Sequence, residues 1–182
     1  MADSYLDIIA RPEADTTASV LLSGLFEQLH LEFVARRLST VGVSFPDAQF
    51  KLGLGKCLRL HGPNDVIASL AAMPWLDRAS DYYRVGVPRD VPLDHKMYVV
   101  RRLQPKLSAA KVRRLVARGS VSEESGEQLL EGRQQLDAPY VQIKSGSSGQ
   151  RFRLFFEQVP VEPSTARIDF NTYGFGKSIP WF

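Results

Sequence analysis

Apolar positions along this chain switch between two periods, and the switching predicts its elements. Tyr5 to Ala10 is a short apolar run stopped by Arg11-Pro12 and reads as a strand. From Ser19 to about Leu38, Leu22, Leu25, Phe26, Leu29 and Phe33 recur three and four residues apart, which puts them on one stripe of a helix. Val41 to Phe45 is a strand ended by Pro46, and Cys57 to His61 alternates until Gly62-Pro63 stops it. Asn64 or Asp65 then caps a helix through Val66, Ile67, Leu70 and Ala71 that ends near Pro74. Tyr82 to Val87 is the next strand. The order is β-α-β-β-α-β, that of a ferredoxin-like half, a layout shared by many RNA-binding modules and by many unrelated proteins.

Val87 to His95 holds two prolines and no periodicity, so the domain boundary is placed there, with a ferredoxin-like domain over 1–90 and a smaller α/β domain over 91–182. The second half opens with a strand from Tyr98 to Leu103, broken by Pro105. Ser108 caps a helix to about Arg118, with Lys111, Arg114 and Arg118 on one stripe and Ala109, Val112 and Val116 on the packing side. Ser122 starts another helix anchored by Leu129 and Leu130. Tyr140–Lys144 and Phe152–Phe156 are strands flanking the loop SGSSGQ, and Phe170–Phe175 is a final strand before a compact tail at Ile179–Phe182. The predicted fold class is α+β.

Charge changes the picture through its distribution. The net charge is only +3, but Lys96 to Arg118 holds eight cations and no Asp or Glu. Of the 23 Lys and Arg, removing those eight leaves 15 against 20 acidic residues, a net −5 for the remainder. A mildly acidic body with one concentrated basic strip is an electrostatic footprint for phosphates, although a solvated surface helix would look similar. Cys57 is the only cysteine, which rules out an internal disulfide and fits a reducing compartment. The N-terminus lacks the order of a signal peptide, and no apolar run is long enough to span a bilayer; a soluble, cytoplasmic protein is expected. His30, His61 and His95 are scattered, and neither zinc nor calcium spacing occurs, so no metal or cofactor is expected.

Several residues could carry chemistry. His30 sits at the margin of the long helix's apolar stripe, where a structural role and proton transfer near neutral pH are both open. The loop from Ser145 to Gly149 is a flexible hairpin or, through its hydroxyls and N–H groups, a hold for phosphate or ribose. Phe152, between Arg151 and Arg153, is a base-stacking platform or a core residue. Tyr173 and Lys177 lie in a Gly-rich bend. Arg102 and Gln104 would point to one side of an extended segment, with the donors to read guanine and adenine edges.

The succession of YLDI, the LFEQLH helix, VGVSFP, RLQPK, the arginine helix, SGSSGQRFRLFF, NTYGFGKS and a terminal PWF resembles the CRISPR repeat-processing endoribonucleases of the type I-F system, a compact branch of the Cas6 superfamily. The resemblance runs from Tyr5 to Phe182. It implies a metal-independent enzyme that binds the repeat hairpin, cuts at its base by 2′-hydroxyl attack to leave a 2′,3′-cyclic phosphate and a 5′-hydroxyl, and stays with the crRNA in a surveillance complex. It implies that His30 acts on the 2′-hydroxyl, Ser145 holds that hydroxyl and Tyr173 orients the histidine. Ser147, Ser148 and Gln150 would support the loop or touch the backbone, Phe152 would stack under the basal pair, and Arg102 with Gln104 would read the lower stem. Lys106, Lys111, Arg113, Arg114 and Arg118 would hold the stem's phosphates. Departures are Leu115 and Gly119, where the family's denser helix has arginines, and the stretch from Gln49 to Lys56, a poor match. The alternative is a non-catalytic hairpin-binding subunit of a ribonucleoprotein; a more distant one is an assembly protein using the strip on an acidic protein.

Overall fold

A computed structural model describes residues 3–49, 53–104, 109–131, 137–146, 149–163 and 169–182, excepting the side chains of 77, 109, 110 and 129–131. Its strands are β1 (Ser4–Ala10), β2 (Gly42–Ser44), β3 (Cys57–Gly62), β4 (Tyr83–Val85), β5 (Arg89–Asp90), β6 (Lys96–Leu103), β7 (Tyr140–Lys144), β8 (Arg151–Pro160) and β9 (Ser178–Trp181). Its helices are α1 (Ala18–Ala35), α2 (Asn64–Ala71), α3 (Pro74–Arg78), α4 (Ala109–Ala117) and α5 (Glu123–Glu131). The architecture is α+β, with two antiparallel sheets.

The first sheet runs β2-β3-β1-β4, with β5 also on β1. Strict alternation in β1 buries Leu6 and Ile8 against α1 and α2, while Tyr5 and Asp7 take the other face. On that face the Arg59 guanidinium donates to both Asp7 oxygens (2.6 and 3.0 Å) and lies over the rings of Tyr5 and Phe182. The second sheet runs β7-β8-β6-β9. Leu154 and Phe156 of β8, with Val141 and Ile143 of β7, join the same core as the α1 stripe, and Phe26, Phe45, Phe156 and Phe175 pack ring on ring at its centre.

The α1 helix also closes an edge. As the outer strand of its sheet, β7 would leave backbone N–H groups unpaired. Ser23 Oγ accepts from Gln142 N (3.0 Å) and Glu27 Oε1 from Lys144 N (3.2 Å).

The chain packs as two compact units, Met1–Arg102 with Ala138–Phe182, and Leu103–Asp137. Within the second unit, Ser122 Oγ accepts from Ser125 N and caps α5 as its sequence predicts. Val112 is buried and Val116 half-buried, and Gly126 of α5 lets the two helices meet there: an added Cβ would lie 2.7 Å from Val116 Cγ2.

Five expectations need correction. The α2 N-cap is Pro63, without a side-chain cap bond; Asn64 is already helical and its Oδ1 faces the Ser4 hydroxyl. Pro74 opens α3 instead of only ending α2, because its missing N–H costs nothing at a first helical position. The stretch read as linker contributes β5. Phe170–Phe175 is a bend, and the last strand is β9, which begins at Ser178 and takes in most of the stretch read as a tail. β8 runs on to Pro160. The expected cap Ser108 lies outside the described residues, as do the side chains of Leu129 and Leu130.

Candidate active site

His30 lies on α1 one turn beyond Phe26, half-buried at the edge of the apolar stripe. Its Nδ1 is 2.7 Å from the carbonyl oxygen of Thr172. A carbonyl only accepts, so Nδ1 carries the proton of this bond. In the neutral ring Nε2 therefore keeps its lone pair, and it is the nitrogen able to take up a proton. The Tyr173 ring stacks on the imidazole with centroids 4.4 Å apart and planes 21° apart, and Phe26 stacks behind Tyr173 at 6.2 Å. The imidazole is thus held at one edge and on one face.

Both contacts come from the bend after Phe170, which the backbone fixes closely. Asn171 Oδ1 accepts from Tyr173 N (2.9 Å) and Phe175 N (3.1 Å), and Val43 N of β2 donates to Gly174 O (3.0 Å). Gly174 has φ +72°, and a Cβ there would lie 2.6 Å from Val43 Cγ2. Only glycine fits both the left-handed backbone and the close approach.

Ser145 follows β7 directly and is half-buried, where the loop closes through Ser145 N to Gln150 O (2.8 Å) and Gly149 N to Ser145 O (2.9 Å). Two bonds align the strand with α1, Ser23 to Gln142 and Glu27 to Lys144. Four helical residues advance about 6 Å and two strand residues about 6.8 Å. The two elements therefore run in step over this stretch, and Ser145 follows directly on Lys144. Gln150 is exposed; Ser147 and Ser148 lie outside the described residues.

A second group gathers on β8 and β6 of the same sheet as β7. Phe152 pairs with Ile143 and packs half-buried at the margin of the core, with the Arg102 guanidinium 6.0 Å from its ring centre. Arg102 is exposed, as is Gln104, one residue past β6. Arg101 points to the opposite face, where Glu157 pairs with it. Lys111, Arg113, Arg114 and Arg118 are exposed on or just beyond α4, in the other unit; Lys106 lies outside the described residues. Leu115 is half-buried, and Gly119 has φ +70°.

The other histidines differ. His61 is fully buried, bonded through Nε2 to Ser44 Oγ (2.8 Å), and burial with Arg59 nearby pulls its pKa from 6.5 down to about 3. His95 Nδ1 meets Pro92 O at 2.7 Å on the surface. Among the described residues, no three His, Cys, Asp or Glu side chains gather as metal ligands would, and no helix is long and apolar enough to cross a membrane.

Sequence reasoning missed Thr172, which acts through its carbonyl and so carries no side-chain signal. It also missed Asn171, although an Asn before a Gly-containing bend is a turn former. The class these features define is an α+β protein with an oriented imidazole on α1, a hydroxyl-bearing loop after β7 and a basic helix in the other unit. The chain belongs to the family of CRISPR-associated proteins described as Cas_Csy4, whose model matches residues 5–182. It is 37% identical over 186 residues to the CRISPR-associated endonuclease Cas6/Csy4 of Pseudomonas aeruginosa (strain UCBPP-PA14), covering 99% of this chain and 100% of that protein. The protein of the same name from Escherichia coli (strain UTI89 / UPEC) is 33% identical over 185 residues, covering 99% and 100%.

Proposed function

We propose that this chain, a CRISPR-associated endonuclease by family, is an endoribonuclease that binds the stem-loop of CRISPR repeat RNA and cuts at the base of the hairpin without a metal ion. The observation that carries the reading is the hold on His30, which leaves Nε2 open. Nε2 takes the proton of the ribose 2′-hydroxyl while Ser145 holds that oxygen. The 2′-oxygen bonds to the adjacent phosphorus, the bond to the 5′-oxygen breaks, and that oxygen leaves as a hydroxyl by taking a proton from solvent water. The products are a 2′,3′-cyclic phosphate and a 5′-hydroxyl. Tyr173 keeps the ring in plane for this transfer.

Residues 1–90 are the ferredoxin-like part of this reading, supported by the strand order β2-β3-β1-β4 with antiparallel neighbours. Residues 91–182 grip the hairpin. Phe152 stacks under its basal pair, Arg102 and Gln104 read the lower stem, and Lys111, Arg113, Arg114 and Arg118 lie on its phosphates, with Lys106, Ser147, Ser148 and Gln150 alongside. The protein then remains on the crRNA beside other subunits of a type I-F surveillance complex, in the cytoplasm.

The test is cleavage of a repeat hairpin in EDTA by wild type and His30→Ala. A general base contributes roughly 10²- to 10⁴-fold, so the variant should cut slower by that order while still binding. Equal cleavage by both would remove His30 from the reaction. Tight binding with no cleavage by wild type would favour a non-catalytic hairpin-binding subunit. A single 2′-deoxy nucleotide before the scissile phosphate should abolish cutting.

A further inference from the structure

The carbonyl that accepts from His30 and the N–H that donates to Asn171 are two ends of one peptide group, the one joining Thr172 to Tyr173. A trans peptide is planar and points its C=O and N–H in opposite directions, so fixing one end aims the other. Asn171 Oδ1 fixes the N–H end at 2.9 Å and is itself braced by Phe175 N at 3.1 Å. Its backbone is pinned as well, with Asn171 N donating to Phe175 O (3.0 Å) and Gly174 N to Asn171 O (2.8 Å). A continuous chain therefore runs from the Asn171 carboxamide oxygen through the 172–173 peptide to Nδ1–H of His30, and each bond polarises the next. The residue whose N–H is held, Tyr173, also supplies the ring stacked on the imidazole.

From this chain we infer that Asn171 is a positioning residue for the cleavage: through the Thr172 carbonyl it keeps the proton of neutral His30 on Nδ1 and Nε2 free to act as base. A ring without this acceptor has no reason to keep its proton on Nδ1, since the tautomer is set by the bond the other nitrogen makes. It would divide between two tautomers, only one of which leaves Nε2 as a base. The inference rests on the reading of His30 as the group that handles the 2′-hydroxyl proton, but its first test needs no RNA.

That test is nitrogen NMR of the full chain with labelled histidine at a pH where the rings are neutral, with His30 assigned by its loss in His30→Ala. Wild type should show the proton on Nδ1. Asn171→Ala should show a mixture at His30, whereas His95, whose Nδ1 meets its own carbonyl at Pro92, should not change. In single-turnover cleavage at saturating hairpin, Asn171→Ala should slow cutting about tenfold, the scale of one net hydrogen bond, with hairpin Kd unchanged. Asn171→Asp, which keeps the acceptor oxygens, should restore both the tautomer and most of the rate. A wild-type His30 with its proton on Nε2 would overturn the inference, whatever the variants do. So would an Asn171→Ala protein that keeps the wild-type tautomer and rate and is merely less stable. If His30→Ala cuts as fast as wild type, the proton-transfer reading fails while the tautomer result stands by itself.

Discussion

His30 and His61 are the same side chain put to opposite uses by what surrounds them. His30 keeps one nitrogen open at a half-exposed edge, whereas His61 is sealed in, and its Nδ1 has no partner. Burial makes the neutral ring the favoured form of His61, so its pKa of about 3 lies far below the ordinary 6.5 of the unfolded chain. The sign of the linkage follows: the unfolded state takes up a proton below pH 6.5 and the folded state does not until about pH 3. The stability tied to His61 is fully present above 6.5 and is lost as pH falls from there, at up to about 1.4 kcal/mol per pH unit. Urea unfolding at pH 6.5 and 4.5 should show this drop in wild type and a smaller one in His61→Gln, which cannot titrate. An equal drop in both would place the pH sensitivity elsewhere. Cys57 is buried nearby, and burial, with Asp7 beside it, pushes its thiol up to about 12. Since the thiolate is the nucleophile, iodoacetamide at pH 8 should alkylate Cys57 slowly in the folded chain and quickly in urea.

Glycines at the ends of elements show why some of the structure was legible in the sequence and some was not. Gly119 closes α4: its N–H donates to Val116 O (2.9 Å) and that of Ser120 to Leu115 O (3.0 Å), the paired bonds of a Schellman motif. Its φ of +70° explains a glycine where the family pattern leads one to expect arginine, because the helix must end and turn toward α5. No atom lies within 4 Å of a Cβ built there, so Gly119→Ala should cost only the backbone term, about 1 kcal/mol. Gly174→Ala adds collision with Val43 to the same strain, so it should lower the melting temperature further and slow cleavage while hairpin binding survives. Equal effects of the two substitutions on melting and cutting would refute the close-approach argument. The helices α1 and α4 and the strands β1, β3 and β7 were readable because burial imposes their periods on the sequence. The helix α3 was not, since Pro74 reads equally as a stop and a start; nor was β5, two residues long, nor β9, which carries a proline. At the site, His30, Ser145 and Tyr173 were nameable through a resemblance, but the Thr172 carbonyl comes from the bend's backbone course, which no side-chain pattern records.

At the scale of the whole chain, the phosphate grip proposed for α4 and the cutting proposed for His30 fall in different units: α4 lies in Leu103–Asp137, and His30 in the unit built from both sheets. The two tasks also obey different physics. Phosphate neutralisation releases counterions, so affinity falls steeply with salt, by roughly 0.9 log units per log unit of salt for each duplex phosphate contacted. Proton transfer from a bound 2′-hydroxyl carries no such dependence once the RNA is saturating. Arg113→Ala and Arg118→Ala should therefore each weaken hairpin binding and reduce the slope of log K against log salt by about 1, with the single-turnover rate at saturation unchanged. His30→Ala should do the reverse, leaving affinity and slope alone while the rate collapses. The double variant His30→Ala/Arg118→Ala then decides whether the separation is real. If the units act independently, its Kd and salt slope equal those of Arg118→Ala, and its saturated rate equals that of His30→Ala. A rate lower than that of His30→Ala would mean that α4 also sets the position of the scissile phosphate, and the basic helix would then belong to the catalytic machinery as well as to the grip.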